Sequence, residues 1–157
     1  MTYQAIYSNT DFPEMGWHDA TVYSMKFPGP DFAISFDIDY IFKWHVAETG
    51  TKFRGWDVAP CTLTFLNISG LKVSLDWCAP DGVNQGDTSI LDIQRQNSRL
   101  TPNGKLVCWD YEIELDIGVI SFTCTGFVQV VRIPPTFSES QYLGRPHAFD
   151  RHETESL

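Results

Sequence analysis

The stretch Trp109-Asp110-Tyr111-Glu112-Ile113-Glu114-Leu115-Asp116-Ile117-Gly118-Val119-Ile120-Ser121-Phe122-Thr123 decides the fold. From Trp109 to Asp116 large apolar residues alternate with acids, the period of a strand with one dry and one wet side. Beyond Gly118 the alternation resumes, with Ile120, Phe122 and Cys124 set between Val119, Ser121, Thr123 and Thr125. Glycine accepts the positive φ of a tight connection, so the stretch predicts a hairpin. With Ile117 and Gly118 as its loop, Leu115 faces Ile120, Ile113 faces Phe122, Tyr111 faces Cys124 and Trp109 lies over Gly126. Asp116, Glu114, Glu112 and Asp110 then oppose Val119, Ser121, Thr123 and Thr125, with no like charges across the pair. A slip of one residue would turn the acidic row inward.

Working outward, the same alternation predicts strands over Thr21 to Phe27, Phe32 to Phe42, Cys61 to Ile68, Leu71 to Trp77, Ser89 to Arg95, Val107 to Asp116 and Val119 to Ile133. Phe27-Pro28-Gly29-Pro30-Asp31 marks a second hairpin, with Phe27, Met25 and Tyr23 expected opposite Phe32, Ile34 and Phe36. Ser24, Ser35, Asp37 and Asp39 fall on its other side. Asn67-Ile68-Ser69-Gly70 marks a third turn, and the stretch from Cys78 to Thr88 reads as a surface loop. The segment from Val46 to Asp57 fits no element, because Gly50 and Gly55 interrupt it while Phe53 and Trp56 call for burial. Ser138, with Gln141 three residues later, suggests one short helical turn.

These readings add up to a mainly β chain, an antiparallel meander forming a sandwich or flattened barrel, with at most one short helix near the C-terminus. Residues 1–144 are expected to form one β-rich domain and residues 145–157 a flexible tail. A chain of 157 residues with 43 % apolar and 14 % aromatic composition is long and apolar enough for a core of its own.

The formal charge of −9 has the wrong sign for gripping phosphate backbones or anionic lipid, which argues against nucleic acid and membrane as partners. Met1 leads into Thr2, Tyr3 and Gln4 without a charged and then apolar run, so a cytoplasmic location is expected. Cys61, Cys78, Cys108 and Cys124 lie far apart in apolar segments and read as buried free thiols, not zinc ligands.

No nucleophile elbow, phosphate loop, His-Glu-x-x-His or Cys-x-x-Cys occurs, and no cofactor is implied. One polar constellation stands out: His18 before the first strand, Asp37 and Asp39 along the second, and His45 beyond it. The expected register puts His18 opposite Ile41 and within reach of Asp39. Such a cluster has the residue types for a divalent metal or a His-Asp general base, the metal itself being unspecified. Alternatively, His18 hydrogen-bonds where the chain joins the sheet, and the two aspartates solvate an outer face. The row Asp110, Glu112, Glu114 and Asp116 is a candidate interaction surface for a basic protein, or a solubilising face. Trp17, Trp44, Trp56, Trp77 and Trp109 offer rings for sugar stacking if exposed.

Trp17-His18-Asp19-Ala20-Thr21-Val22 resembles the opening of small uncharacterised bacterial proteins in which an aromatic-His-Asp segment runs into the first strand. Asp37-Ile38-Asp39-Tyr40-Ile41, Val58-Ala59-Pro60-Cys61-Thr62-Leu63 and Gly126-Phe127-Val128-Gln129 are similar to their later segments. Some of these proteins look like immunity proteins, which neutralise a partner toxin. The resemblance implies a compact β-rich fold and assigns no catalytic residue. The sequence thus points to a non-enzymatic, immunity-like binding protein with an acidic β surface. A small His/Asp or metal-dependent enzyme and a carbohydrate-binding module are the alternatives.

Overall fold

A computed structural model describes residues 3–48, 50, 52–77 and 87–144. Of these, 62 % lie in strands and 5 % in helix, so the protein is all-β, as its period-two patterning predicts. The strands are β1 (Ile6–Ser8), β2 (Thr21–Lys26), β3 (Ile34–Val46), β4 (Phe53–Leu66), β5 (Ser69–Leu75), β6 (Thr88–Leu100), β7 (Val107–Leu115), β8 (Gly118–Cys124), β9 (Gly126–Val131) and β10 (Thr136–Ser138). A 3-10 helix, Asn9–Glu14, links β1 to β2. Every pairing is antiparallel. The order is β1-β9-β4-β3-β2-β6-β7-β8-β5, with β10 added to β4, and the sheet does not close into a barrel.

Two half-sheets meet at β2 and β6, which share only the pairs Thr21↔Ser89 and Val22↔Thr88. Their dry sides pack on each other. Phe65 of β4 reaches across, its ring centroid 5.3 Å from Tyr111 of β7 and 4.9 Å from Phe122 of β8. Around this contact the alternate residues Phe36 and Ile38, Cys61 and Leu63, Ile113 and Leu115, and Ile120 and Cys124 are all buried. Phe12 of the 3-10 helix and Trp17 close one side, with centroids 6.1 and 5.6 Å from Phe127 of β9.

The deciding hairpin forms with its faces as expected and its register moved by two residues. Leu115 pairs with Gly118, Ile113 with Ile120, Tyr111 with Phe122 and Trp109 with Cys124, so Asp116 and Ile117 make the loop. Ile117 is buried although it lies in the loop. Gly118 has the positive φ, 149°, that its position predicts, and it serves a second purpose. A β-carbon there would stand 1.9 Å from the Ser74 carbonyl oxygen, so glycine lets β5 approach β8.

The second hairpin ends at Lys26↔Ser35, leaving Phe27 and Phe32 exposed in a longer connection in place of the expected cross-strand pair. A bulge at Tyr23 shifts the register between Val22↔Ile38 and Ser24↔Asp37. The turn at Asn67 and Ile68 does not close a hairpin, because β5 pairs with β8 and not with β4. It carries the chain from one half-sheet to the other.

The unassigned Val46 to Asp57 region is the far end of the long β3–β4 hairpin, where Trp44 pairs with Trp56 and Phe53 packs 4.9 Å from Trp44. Pro60 sits centrally in β4 just past the last β4–β9 pair, Cys61↔Val131, where its carbonyl still accepts from the Arg132 amide and only the end of the ladder meets its missing N–H. After Pro134 and Pro135, β10 takes up Trp56 to Val58 of the same strand. The residues around Ser138 are therefore strand and bend, not the expected helical turn. The predicted Cys78 to Thr88 loop, apart from Asp87 and Thr88, and the 145–157 tail lie outside the described residues.

Exchange of Phe65 for Ala removes the ring that joins the half-sheets. We expect a loss of about 3–5 kcal/mol in urea unfolding, the usual range for a buried Phe-to-Ala change. A loss under about 1 kcal/mol would mean that the layers are held otherwise.

Candidate functional site

β7 presents its acids where the alternation requires, on the outer side of its half-sheet. Asp110 accepts hydrogen bonds from Asn97 Nδ2 (2.9 Å), Thr123 Oγ1 (2.7 Å) and Arg99 Nη2 (2.9 Å). Those from Asn97, Thr123 and Arg99, in that order, draw its carboxyl down to about 2. Arg99 comes within reach because a bulge between Gln96 and Arg99 displaces β6. At the other end Asp116 accepts from Thr88 Oγ1 (2.5 Å) and the Ser89 amide (3.2 Å), tying the β7–β8 loop to β6.

Glu112 and Glu114, between these two, are exposed, and no hydrogen bond or ion pair from a described residue reaches them. Glu114 stands directly opposite Asp92 of β6, which is also exposed. Like charges in such a cross-strand position are destabilising. A shallow cavity of about 230 Å³ lies beside them, lined among others by Lys72, Gln94, Gln96, Asp110, Glu112 and Thr123. Among the described residues, Lys72 is the one basic residue lining it.

The other constellation is divided among separate partnerships. His18 lies in the turn before β2, where Asp19 has φ 66° and the Ala20 amide donates to the Trp17 carbonyl. Its Nδ1 is 3.0 Å from the Leu91 carbonyl oxygen and its Nε2 3.5 Å from Asp19. Thr21, not His18, occupies the row of Asp39. The reading in which His18 hydrogen-bonds where the chain joins the sheet describes its surroundings.

The aspartates do not solvate an outer face. Asp37 and Asp39 are 1 % and 0 % exposed. Arg132 bridges Asp37 (2.6 Å) and Thr62 (2.7 Å). Asp39 accepts from Tyr23 Oη (2.6 Å), which the β2 bulge turns to that side, and from the Leu143 amide (2.5 Å). Both acids lie on the wet side of β3 by pattern, yet the chain after β9 covers them.

A His-Asp pair does form, between His45 Nε2 and Asp57 Oδ1 at 2.8 Å, with Tyr3 Oη donating to Asp57 Oδ2 at 2.8 Å. Burial raises the Asp57 carboxyl, and the His45 and Tyr3 hydrogen bonds outweigh it, so the net shift is downward. Asp57 has no signal in the sequence, since it falls in the region without a readable pattern. Among the described residues no group of three or more His, Cys, Asp or Glu is placed to hold a metal ion. Cys61, Cys108 and Cys124 are buried and unpaired. Burial pushes the Cys61 and Cys124 thiols up to about 12, so they stay protonated at neutral pH. Cys78 lies outside the described residues.

Of the five indoles only Trp77 is exposed. Trp17 donates to Gln129 in the core, and the Arg95 guanidinium lies 4.6 Å over Trp109. Among the described residues no helix is long and apolar enough to cross a membrane. Comparison with protein-family models, with curated proteins and with solved structures gives no match.

The Asp110 cluster makes a titration prediction. A carboxyl group lowered in the folded state stabilises it above the ordinary carboxylate pKa, and that contribution disappears as pH falls through the folded value. Carboxyl-detected NMR should place the Asp110 midpoint near 2, and Asn97→Ala should move it up toward the usual carboxylate range. A midpoint that ignores Asn97 would disconnect the cluster from the shift.

Proposed function

We propose that the protein is a non-enzymatic binding protein that presents the outer face of β6, β7 and β8 to a basic protein partner, in the manner of an immunity protein. The observation that carries this reading is the pairing of Asp92 with Glu114, beside Glu112. Like charges held in register on open strands work against stability. Departures from local rules of this kind are expected where a surface answers to a partner. The flanking acids are fixed by Asn97, Arg99 and Thr88, so the row is stiff and its two central carboxylates are free to meet an incoming cation.

Opposite potential accelerates encounter and sets orientation more than it deepens affinity. The overall charge of −9 adds to that field. The resemblance of the Trp17 to Val22 segment to immunity-type proteins supports the same class of function. Three buried, unpaired cysteines suit a reducing compartment, and we place the protein in the cytoplasm. A second reading, general-base catalysis, draws on the His45–Asp57 pair, whose carboxylate orients the imidazole.

Surface plasmon resonance against a panel of small basic proteins, at low and high salt, tests the proposal. We expect selective binding to one or a few of them with a salt-sensitive on-rate. Glu112→Lys combined with Glu114→Lys should slow that association about tenfold or more without lowering the melting temperature, since Glu114→Lys turns the repulsion with Asp92 into attraction. Equal binding by the charge-reversed variant, or the same weak binding to every basic protein, would overturn it.

A further inference from the structure

We propose that the cavity between the N-terminal segment and β3 is a binding site for a trimethylammonium group. The cavity has a volume of about 160 Å³, and Tyr3, Tyr7, Tyr40, Phe42, Asp11 and Glu14 line it together with Met15. It belongs to the other half-sheet from the acidic row, and the inference does not rest on that row.

The walls are aromatic. Phe42 is the common neighbour, its ring centroid 5.0 Å from Tyr3, 5.8 Å from Tyr7 and 4.7 Å from Tyr40. The interplanar angles of 65°, 46° and 75° set the tyrosine rings inclined to Phe42 and not stacked on it, so differently oriented rings line the space. Each phenol oxygen is already engaged: Tyr3 donates to Asp57, Tyr7 accepts from the Gln4 amide at 3.0 Å, and Tyr40 accepts from the Gly16 amide at 3.1 Å. What the tyrosines offer the space is ring surface.

The elements that build the box also fix it. β1 places Tyr7 beside Gln129 of β9. Asp11 accepts from the Ser8 amide at 2.8 Å, holding the 3-10 helix that carries Glu14 and leads into Met15. Among the described residues, the lining includes two carboxylates and no Lys, Arg or His.

Ring faces carry negative potential, and with two carboxylates beside them the space favours a positive charge. The charge it suits is diffuse and clothed in methyl groups, because most of the wall is ring and thioether surface and one of the two carboxylates, Asp11, already accepts from the Ser8 amide. A trimethylammonium group meets both conditions. The volume lies below the roughly 300 Å³ at which pockets take drug-sized ligands, so the site holds a headgroup while the rest of the molecule remains outside. That headgroup comes either from a free choline-type molecule or from a trimethylated lysine on a peptide.

Aromatic-detected NMR with choline, with a short trimethyl-lysine peptide, and with the neutral tert-butyl analogue of choline tests the inference. The expected result is a saturable shift of the Tyr3, Tyr7 and Tyr40 ring signals by at least one cationic probe, the neutral analogue binding about tenfold or more weakly. Response to choline assigns a small-molecule source, and response to the peptide alone assigns a methylated protein. Glu14→Gln, at an exposed position where the fold should survive, should weaken binding severalfold, as should Phe42→Leu. Silence of all three ring signals, or equal binding of the neutral analogue, would overturn the assignment. If Phe42→Leu fails to fold, the neutral analogue and Glu14→Gln still decide it.

Discussion

The contact of Phe65 with Tyr111 and Phe122 governs the rest of the molecule. Backbone pairing between β2 and β6 is confined to two residue pairs, so side-chain packing must set how the half-sheets face each other. Burying one large ring contributes about 1.5–3 kcal/mol, and an edge-to-face aromatic pair adds about 0.5–1.5 kcal/mol. A net hydrogen bond contributes about 1 kcal/mol. Packing therefore outweighs the short ladder. Once Tyr111 and Phe122 point at Phe65, every second residue of β7 must point away, and the acids of that strand face outward.

The same constraint leaves β3 with a problem that β7 does not have. Asp37 and Asp39 alternate with Phe36, Ile38 and Tyr40 and so lie on the outer side, but both are buried. An ionised carboxylate taken out of water needs charged or hydrogen-bonding partners close by. Arg132, Tyr23 and the Leu143 amide supply them, while Gln141 Nε2 reaches Asp19 at 3.1 Å. The chain after β9 thereby covers the outer side of β3 at these two positions, anchored on acids that the pattern alone assigns to solvent.

This contrast marks what could be read from the sequence. Which residues face the core in β3, β7 and β8 was legible, because period two depends only on neighbours along the chain. The faces of the deciding hairpin were right although its register moved by two residues, since an even shift preserves sides. The shift itself was hidden because Gly118 answers to the Ser74 carbonyl of β5, a neighbour distant in sequence. His18 was assigned to the sheet by extending a register through a turn that Asp19 in fact makes with positive φ. The true partner of His45 was invisible, because Asp57 follows a glycine-interrupted stretch whose pairing only the completed hairpin defines. Likewise, nothing local to β7 says that Arg99 will take one of its four acids and leave the two central ones open.

The two charged features that emerge differ in the physics they can exert. An exposed row of carboxylates acts through a field that salt screens beyond about 8 Å, so in the proposed reading its part would be to set how often and in what orientation a partner meets it. It reads charge and little else. A walled space with aromatic sides acts only at contact, where methyl groups, size and charge must all fit, so it discriminates between cations that the row treats alike. The cage also depends on distant segments meeting: Tyr3 precedes β1 and Tyr7 lies in it, paired with β9, while Tyr40 and Phe42 come from β3. Selectivity there is a product of the completed fold, whereas the acidic row needs only one strand with its oily side turned in.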